Sequence, residues 1–328
     1  MRILITGGAG FIGSHLAERL FLSGHDIIIL DNFNDFYSPA VKRRNFTETA
    51  GNAAACGRRL LLCEGDIRDE EFVRAIFTQE LPDAVIHLAA AAGVRPSIDN
   101  PLLYEEVNVR GTMNLLEAAK AIGVRLFLFA SSSSVYGNNP KVPFAEADPV
   151  DNPISPYAAT KKAGELICHT YHHLYDINIA CLRFFTVYGP RQRPDLAISK
   201  FVRLIEQGKP IPFYGDGSTS RDYTYIGDIV AGIEKALQWV NTGEKRYDIF
   251  NLGGSSPVAL NRLVKIIEHQ LGKKAVLECL PMQAGDVERT FANIEKSSSV
   301  LGYKPVTPIE EGIANFVRWY QDSEQPLT

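Results

Sequence analysis

Cysteine is scarce and scattered in this chain. The five residues, Cys56, Cys63, Cys168, Cys181 and Cys279, form no C-x-x-C pair and no zinc-ligand spacing. An odd, dispersed set argues against a disulfide framework and fits free thiols in a reducing cytoplasm. Long apolar runs are also missing: none approaches the roughly 18 residues a membrane-spanning helix needs. The opening MRILITGG runs straight into a strand and a glycine turn, with no apolar signal core. The expectation is a cytoplasmic protein with no membrane span. Neither sign of charge dominates. A formal net charge of -4 leaves no footprint for nucleic acid or an anionic membrane, so an anionic substrate must be met by local cations. There is no internal repeat and no low-complexity tract. What remains is an ordinary globular composition of 328 residues, 45% hydrophobic, enough for one large domain and a smaller one without covalent staples.

Short apolar runs alternate with helix-length amphipathic stretches through the first half. Strands are expected at Arg2–Ile5, Asp26–Leu30, Leu60–Cys63, Ala84–Leu88, Leu126–Ala130 and Ile179–Phe184. Helices are expected at Phe11–Ser23, Glu70–Gln79, Leu103–Ile122 and Tyr157–Leu174. Apolar runs without in/out alternation suit a sheet buried on both faces, and the strand–helix order predicts a doubly wound parallel α/β sheet. The polar, Ala-rich stretch Asn32–Arg59 reads as a surface insertion near the ligand. In the second half proline and glycine gather around Gly189–Pro194 and Gly208–Gly217, and helical patterns at Leu196–Glu206, Gly227–Val240, Leu260–Leu271 and Ile309–Tyr320 are joined by longer loops. This half predicts a smaller, mixed C-terminal substrate domain over 186–328. The domain before it, 1–185, takes back segments at about 224–254, because Asp228–Trp239 and Asp248–Leu252 read as a helix and strand that rejoin the large sheet.

Gly7, Gly10 and Gly13 in GGAGFIG lie between the first strand and the first helix. In that context the first glycine makes a tight turn, the second lets backbone approach a pyrophosphate, and the third permits close helix–strand packing. Asp31 ends the second apolar run, where a carboxylate bonds the adenosine ribose hydroxyls and repels a 2′-phosphate, which favours NAD over NADP. Tyr157 and Lys161 form Y-A-A-T-K, an i,i+4 pair on one helix face. A free tyrosine is a poor base near pH 7; a nearby ammonium would lower its pKa and make it a usable acid and base. Ser132, in ASSSSVYG after the strand Leu126–Ala130, stands at the carboxyl edge of the sheet, where such sheets bind ligands. Arg191, Arg193, Arg221 and Arg289 are the plausible counter-charges in the second half for an anionic ligand. His169, His172 and His173 lack acidic or thiol companions and read as helix surface, so no metal is expected. Trp239 and Trp319 read as core.

GGAGFIG, HLAA (His87–Ala90), SSSSVYG, SPYAATK and FFTVYGP resemble the extended short-chain dehydrogenases that modify UDP- and dTDP-sugars, over essentially the whole chain. DNFNDFY (Asp31–Tyr37), AGVR (Ala92–Arg95), RFFTVYGPRQRPDLA (Arg183–Ala197), SRDYTYI (Ser220–Ile226) and GDVERTFA (Gly285–Ala292) most resemble the UDP-glucuronate 4-epimerases within that group. The resemblance implies a Rossmann-like fold, an NAD cofactor and a catalytic set of Ser132, Tyr157 as base and Lys161 as its partner. It implies a cofactor site of Gly7, Gly10, Phe11, Ile12, Gly13, Asp31, Asn32, Asp66, Ile67, Leu88, Ala89, Ala90 and Asn108, together with Tyr157 and Lys161, Asp66 holding the adenine. For the UDP-sugar it implies Thr186 and Arg193 at the sugar, with Arg95, Ser133 and Ser134 beside them, and Phe213, Arg221 and Asp286 at the uridine diphosphate. It further implies a homodimer through the helices Leu103–Ile122 and Tyr157–Leu174. Two positions depart from the family pattern near the expected sugar pocket: Gln192 stands where glycine is usual, and Pro96 where an aromatic is common.

The reaction implied is 4-epimerisation through a transient 4-keto sugar, most like UDP-glucuronate to UDP-galacturonate. Alternatives are a UDP-glucose/UDP-galactose 4-epimerase, a UDP-glucuronate decarboxylase, a sugar 4,6-dehydratase, and a non-catalytic NAD-sensing protein on the same fold. Dehydratases carry an Asp–Glu pair where Ser133 and Ser134 stand, and decarboxylases commonly carry Glu at the position of Ser134. A sensor would have lost Tyr157 or Lys161. The fold alone separates none of these.

Overall fold

The computed structural model describes residues 1–281 and 287–322. Its strands are β1 (Arg2–Thr6), β2 (Asp26–Asp31), β3 (Leu60–Glu64), β4 (Ala84–His87), β5 (Leu126–Ser132), β6 (Asn178–Phe184), β7 (Thr186–Tyr188), β8 (Ile211–Tyr214), β9 (Ser220–Tyr225), β10 (Tyr247–Leu252), β11 (Pro257–Ala259) and β12 (Leu277–Leu280). Its helices are α1 (Phe11–Leu22), α2 (Pro39–Ala55), α3 (Glu70–Glu80), α4 (Val94–Asp99), α5 (Pro101–Glu105), α6 (Gly111–Ile122), α7 (Pro156–Tyr175), α8 (Ala197–Glu206), α9 (Ile226–Asn241), α10 (Leu260–Leu271) and α11 (Ile309–Asp322).

Seven strands form one sheet in the order β10-β6-β5-β4-β1-β2-β3, every neighbouring pair parallel. The sheet carries one apolar cluster on each face, one centred on α1 and α9, the other on α3, α6 and α7. Strands β1, β4 and β6 are buried along nearly their whole length, as an all-parallel sheet covered on both sides requires. The strand order reverses between β1 and β4. At that switch point the βα loops part and open a crevice at the carboxyl ends of the strands. The returning strand predicted at Asp248–Leu252 is β10, which pairs with β6 at the sheet edge. The later chain also makes a three-stranded sheet, β11-β9-β7, and a two-stranded one, β12-β8, over a separate apolar cluster.

Two elements differ from the sequence expectation. Asn32–Arg59 contains a full helix, α2, docked on α1. Its buried residues are Val41, Lys42, Asn45, Thr49 and Ala53, too polar a set to read as an apolar stripe. Asn45 Nδ2 donates to the Ala9 carbonyl at 3.3 Å. The helix expected at Leu103–Ile122 is broken between α5 and α6 by a π-helical turn over Glu106–Arg110. One extra residue in that turn swings Asn108 inward, and such turns gather at functional sites.

Candidate active site

The crevice is a cleft of about 730 Å³. Gly7, Gly10, Phe11, Ile12 and Gly13 line it, together with Asp31, Asn32, Asp66, Ile67, Leu88, Ala89 and Ala90. Ser132, Ser133, Ser134, Tyr157, Lys161, Thr186 and Arg193 line it as well. The glycine turn leaves no room for side chains, as a turn that brings backbone close to a pyrophosphate requires. Gly7 has φ +68°, and a β-carbon there would stand 2.9 Å from the Ala89 amide nitrogen; one on Gly13 would overlap the Gly7 carbonyl. Side chains are excluded where the backbone must come within hydrogen-bonding reach of phosphate.

Asp31 does more than the sequence implied. Its carboxylate accepts from the Ala9 amide at 3.1 Å and the Phe33 amide at 2.9 Å, so it also pins the glycine turn. Burial raises its pKa, while those amides and the nearby Lys42 oppose the rise. Asp31→Ala is expected to weaken NAD about 10- to 100-fold, the worth of one or two charge-assisted hydrogen bonds, and to relax the bias against NADP. Calorimetric titration of both cofactors checks it; equal affinity of the wild type for NADP would remove Asp31 from cofactor choice.

Tyr157 is set by local chain chemistry. Ser155 caps α7, its hydroxyl accepting from the Ala158 amide at 3.2 Å, and Pro156 takes the first helical position. Tyr157 therefore sits in the first turn, its ring edge-on to Tyr104 at 6.1 Å. Burial raises the phenol's pKa, against a hydrogen bond with Ser132 and the positive charge of Arg193. Lys161 Nζ lies over the Tyr157 ring, 5.9 Å from its centre, and donates to the Ala130 carbonyl at 2.8 Å. Burial lowers the Lys161 pKa to about 8, with Cys168 opposing the shift. Ser132 is oriented by a tight turn. Its hydroxyl oxygen accepts from the Ser134 amide at 3.2 Å and lies 3.1 Å from the Ser134 hydroxyl.

Arg193, also on the cleft wall, pairs with Asp195 at 2.8 Å and lies over the Phe36 ring at 5.1 Å. Ser133, Ser134 and Thr186 lie both on the cleft wall and on a smaller adjoining cavity of about 160 Å³ that Arg221 also lines. The two spaces together suit a cofactor and a sugar in the first and an anionic group in the second.

Several expected residues stand elsewhere. Asn108 lies behind the wall: it bonds both backbone groups of Ala91 and Thr160, shaping the loop that lines the cleft. Arg95 is exposed over the Tyr214 ring at 5.3 Å, bridging the two halves. Phe213 is buried in the core of the smaller half, off both cavity walls. Gln192 is buried and donates to the Val187 carbonyl instead of facing the sugar pocket. Arg191 is no substrate counter-charge; Glu18 and Glu48 already claim it. Asp286 lies outside the described residues. Sequence reasoning missed Tyr37, Lys42 and Phe36 on the cleft wall; DNFNDFY carried the signal for Phe36 and Tyr37.

It also missed the support beneath β5. Glu165, one helical turn beyond Lys161, forms a two-pronged ion pair with Arg183 on β6 at 2.8 and 2.9 Å and accepts from Ser131. Both side chains are 1% exposed. Glu165→Ala strands a buried guanidinium and is expected to cost about 3–5 kcal/mol of stability. Denaturant titration checks this, and a loss below about 1 kcal/mol would mean the pair behaves like an exposed one.

Residues 3–253 match the NAD dependent epimerase/dehydratase family. The chain belongs to that family. Within it, the chain is 46% identical to UDP-glucuronate 4-epimerase 4 of Arabidopsis thaliana, over 97% of this chain and 75% of that one. It is 42% identical to a probable UDP-glucuronate 4-epimerase of Rhizobium meliloti, over 98% of each. Among solved structures it resembles the UDP-glucuronic acid 4-epimerase of Bacillus cereus in complex with UDP-glucuronic acid and NAD, with a TM-score of 0.88, 34% identity and coverage of 97% and 98%. It also resembles a UDP-glucose 4-epimerase of Thermotoga maritima with UDP-glucose, with a TM-score of 0.87, 32% identity and coverage of 98% and 99%. The glycine turn, Asp31, Ser132, Tyr157 and Lys161 all lie inside the matched span.

Proposed function

We propose that the protein is an NAD-dependent UDP-sugar 4-epimerase that converts UDP-glucuronate to UDP-galacturonate through a transient 4-keto sugar. The observation that carries the reading is Arg193. Its positive charge is felt at Tyr157, and it lines the same cleft as the hydroxyls of Ser133, Ser134 and Thr186, so a carboxylate next to the reacting carbon has a counter-charge. A neutral hexose would offer that arginine no anion in exchange for Asp195.

NAD held on the glycine turn supplies the hydride acceptor and donor. Tyr157 takes the C4 hydroxyl proton and returns it, and Ser132 hydrogen-bonds the same oxygen. Lys161, donating to the Ala130 carbonyl on β5, holds an ammonium 5.9 Å from the centre of the Tyr157 ring. Ser133, Ser134, Thr186 and Arg193 hold the sugar carboxylate, and Arg221 serves the diphosphate. The smaller unit over 186–328 carries the nucleotide sugar and the larger one the cofactor. Exposed Leu102, Met113 and Leu166, at 75%, 43% and 57%, lie on α5, α6 and α7, and their apolar surface supports a homodimer through those helices. No described helix is long and apolar enough to cross a membrane, and a cytoplasmic location is part of the proposal.

Incubating the purified protein separately with UDP-glucuronate, UDP-glucose and UDP-N-acetylglucosamine, with products resolved by NMR, tests the reading. UDP-galacturonate from the first is the expected result. Turnover of the neutral sugars alone overturns the assignment of substrate.

A further inference from the structure

Gly189–Gln192 is a β-turn closed by the Gln192 amide on the Gly189 carbonyl at 3.1 Å. Pro190 and Arg191 are its central residues, and Arg191 has φ +62°. A proline followed by a left-handed residue is the pattern of a type II turn, whose third position favours glycine. Arginine there is strained, and such strain persists only where surrounding contacts over-determine it.

The surrounding contacts are long-range. The Arg191 guanidinium spans two carboxylates: Nη1 reaches Glu18 on α1 at 2.8 Å, and Nη2 reaches Glu48 on α2 at 2.9 Å. Its side chain is 11% exposed. Asn52 on α2 also donates to Glu18 at 2.9 Å. One helical turn before Glu18, His15 Nε2 lies 2.9 Å from the Pro190 carbonyl oxygen. Both central residues of the turn are thus tied to α1, the helix that opens at the glycine turn. Beyond the turn the chain buries Gln192 and then presents Arg193 to Phe36, Asp195 and Tyr157.

We propose that Arg191, strapped by Glu18 and Glu48, is a positioning residue that aims Arg193 at the sugar carboxylate and at Tyr157. The proposal rests on the UDP-glucuronate reading for the identity of the anion. Glycine would suit the turn better and cannot be strapped, so the strained arginine serves placement and not turn formation. An error of about 1 Å in Arg193 is enough to cost up to about 100-fold in rate.

The test is a double-mutant cycle on UDP-glucuronate. Arg191→Gly removes the strap and relieves the backbone. It is expected to lower kcat about 10- to 100-fold and to raise the share of UDP-pentose, with the thermal midpoint and NAD content near wild type. Glu18→Gln combined with Glu48→Gln should reproduce the effect without touching the turn, and Arg191→Lys should restore part of the rate. In an Arg193→Ala background, Arg191→Gly should add less than about twofold, because coupled residues are non-additive. Wild-type rate and products in Arg191→Gly, or equal fold-losses in both backgrounds, overturn the proposal. If the wild type epimerises only UDP-glucose, the substrate reading falls instead. The same cycle on UDP-glucose then decides the strap, coupling supporting it and additivity overturning it.

Discussion

Tyr157→Phe is expected to lower turnover at least about 100-fold, the usual contribution of a positioned general acid–base group, while folding and cofactor retention stay intact. The substitution keeps the ring, so its edge contact with Tyr104 and the capped first turn of α7 survive. What disappears is the hydroxyl. Burial pushes the phenol's pKa up, and Ser132 and Arg193 pull it back. In the wild type the rate of the first proton transfer should therefore rise with pH as the phenol loses its proton. That limb should be absent from the Phe variant's residual rate. Steady-state rates across pH, with unfolding followed in parallel, check both parts. Activity within a few-fold of wild type and an unchanged pH limb would exclude Tyr157 as the base.

Arg193→Ala is expected to change the product as well as the rate. Oxidation at C4 of a glucuronate places the carboxylate β to a ketone. When the C5–C6 bond lies perpendicular to the ketone plane it breaks, its electrons pass toward the ketone, CO2 leaves and C5 then takes a proton. Holding the carboxylate out of that alignment suppresses the loss. A planar fork bonding both carboxylate oxygens does this better than a point charge. In the structure the fork is held by Asp195 at 2.8 and 3.0 Å, the arrangement an incoming carboxylate competes with. Removing the arginine should lower epimerisation about 10- to 100-fold and raise the share of UDP-pentose. It also removes one of the two influences that lower the Tyr157 pKa, so the pH limb should move to higher pH. Arg193→Lys should do less on both counts. Mass spectrometry of the UDP-sugars identifies the lost CO2. Wild-type epimerisation with no pentose and an unmoved limb would mean that Arg193 touches neither carboxylate nor phenol.

The parallel sheet and its glycine turn were legible because each is a local matter. Apolar runs without alternation mark strands covered on both faces, and GGAGFIG fixes backbone geometry within a few residues. Helix α2 was not legible, because Lys42, Asn45 and Thr49 sit among the few residues it buries, and their burial depends on partners far along the chain. The π-helical turn at Asn108 and the displacement of Phe213 and Arg95 from the cleft wall were hidden for the same reason.

The sequence by itself determined the fold class, the cofactor turn and the residue types at the reacting centre, since these follow from periodicity, turn chemistry and spacing along one helix. Only the tertiary structure decided which cation faces which group. Arg191 and Arg193 are near neighbours in the chain with the same side chain. A left-handed residue and two distant carboxylates send the first to α1 and α2 and the second to Tyr157. Electrostatic roles depend on distances through space and on burial, and neither is written in the spacing of residues along the chain.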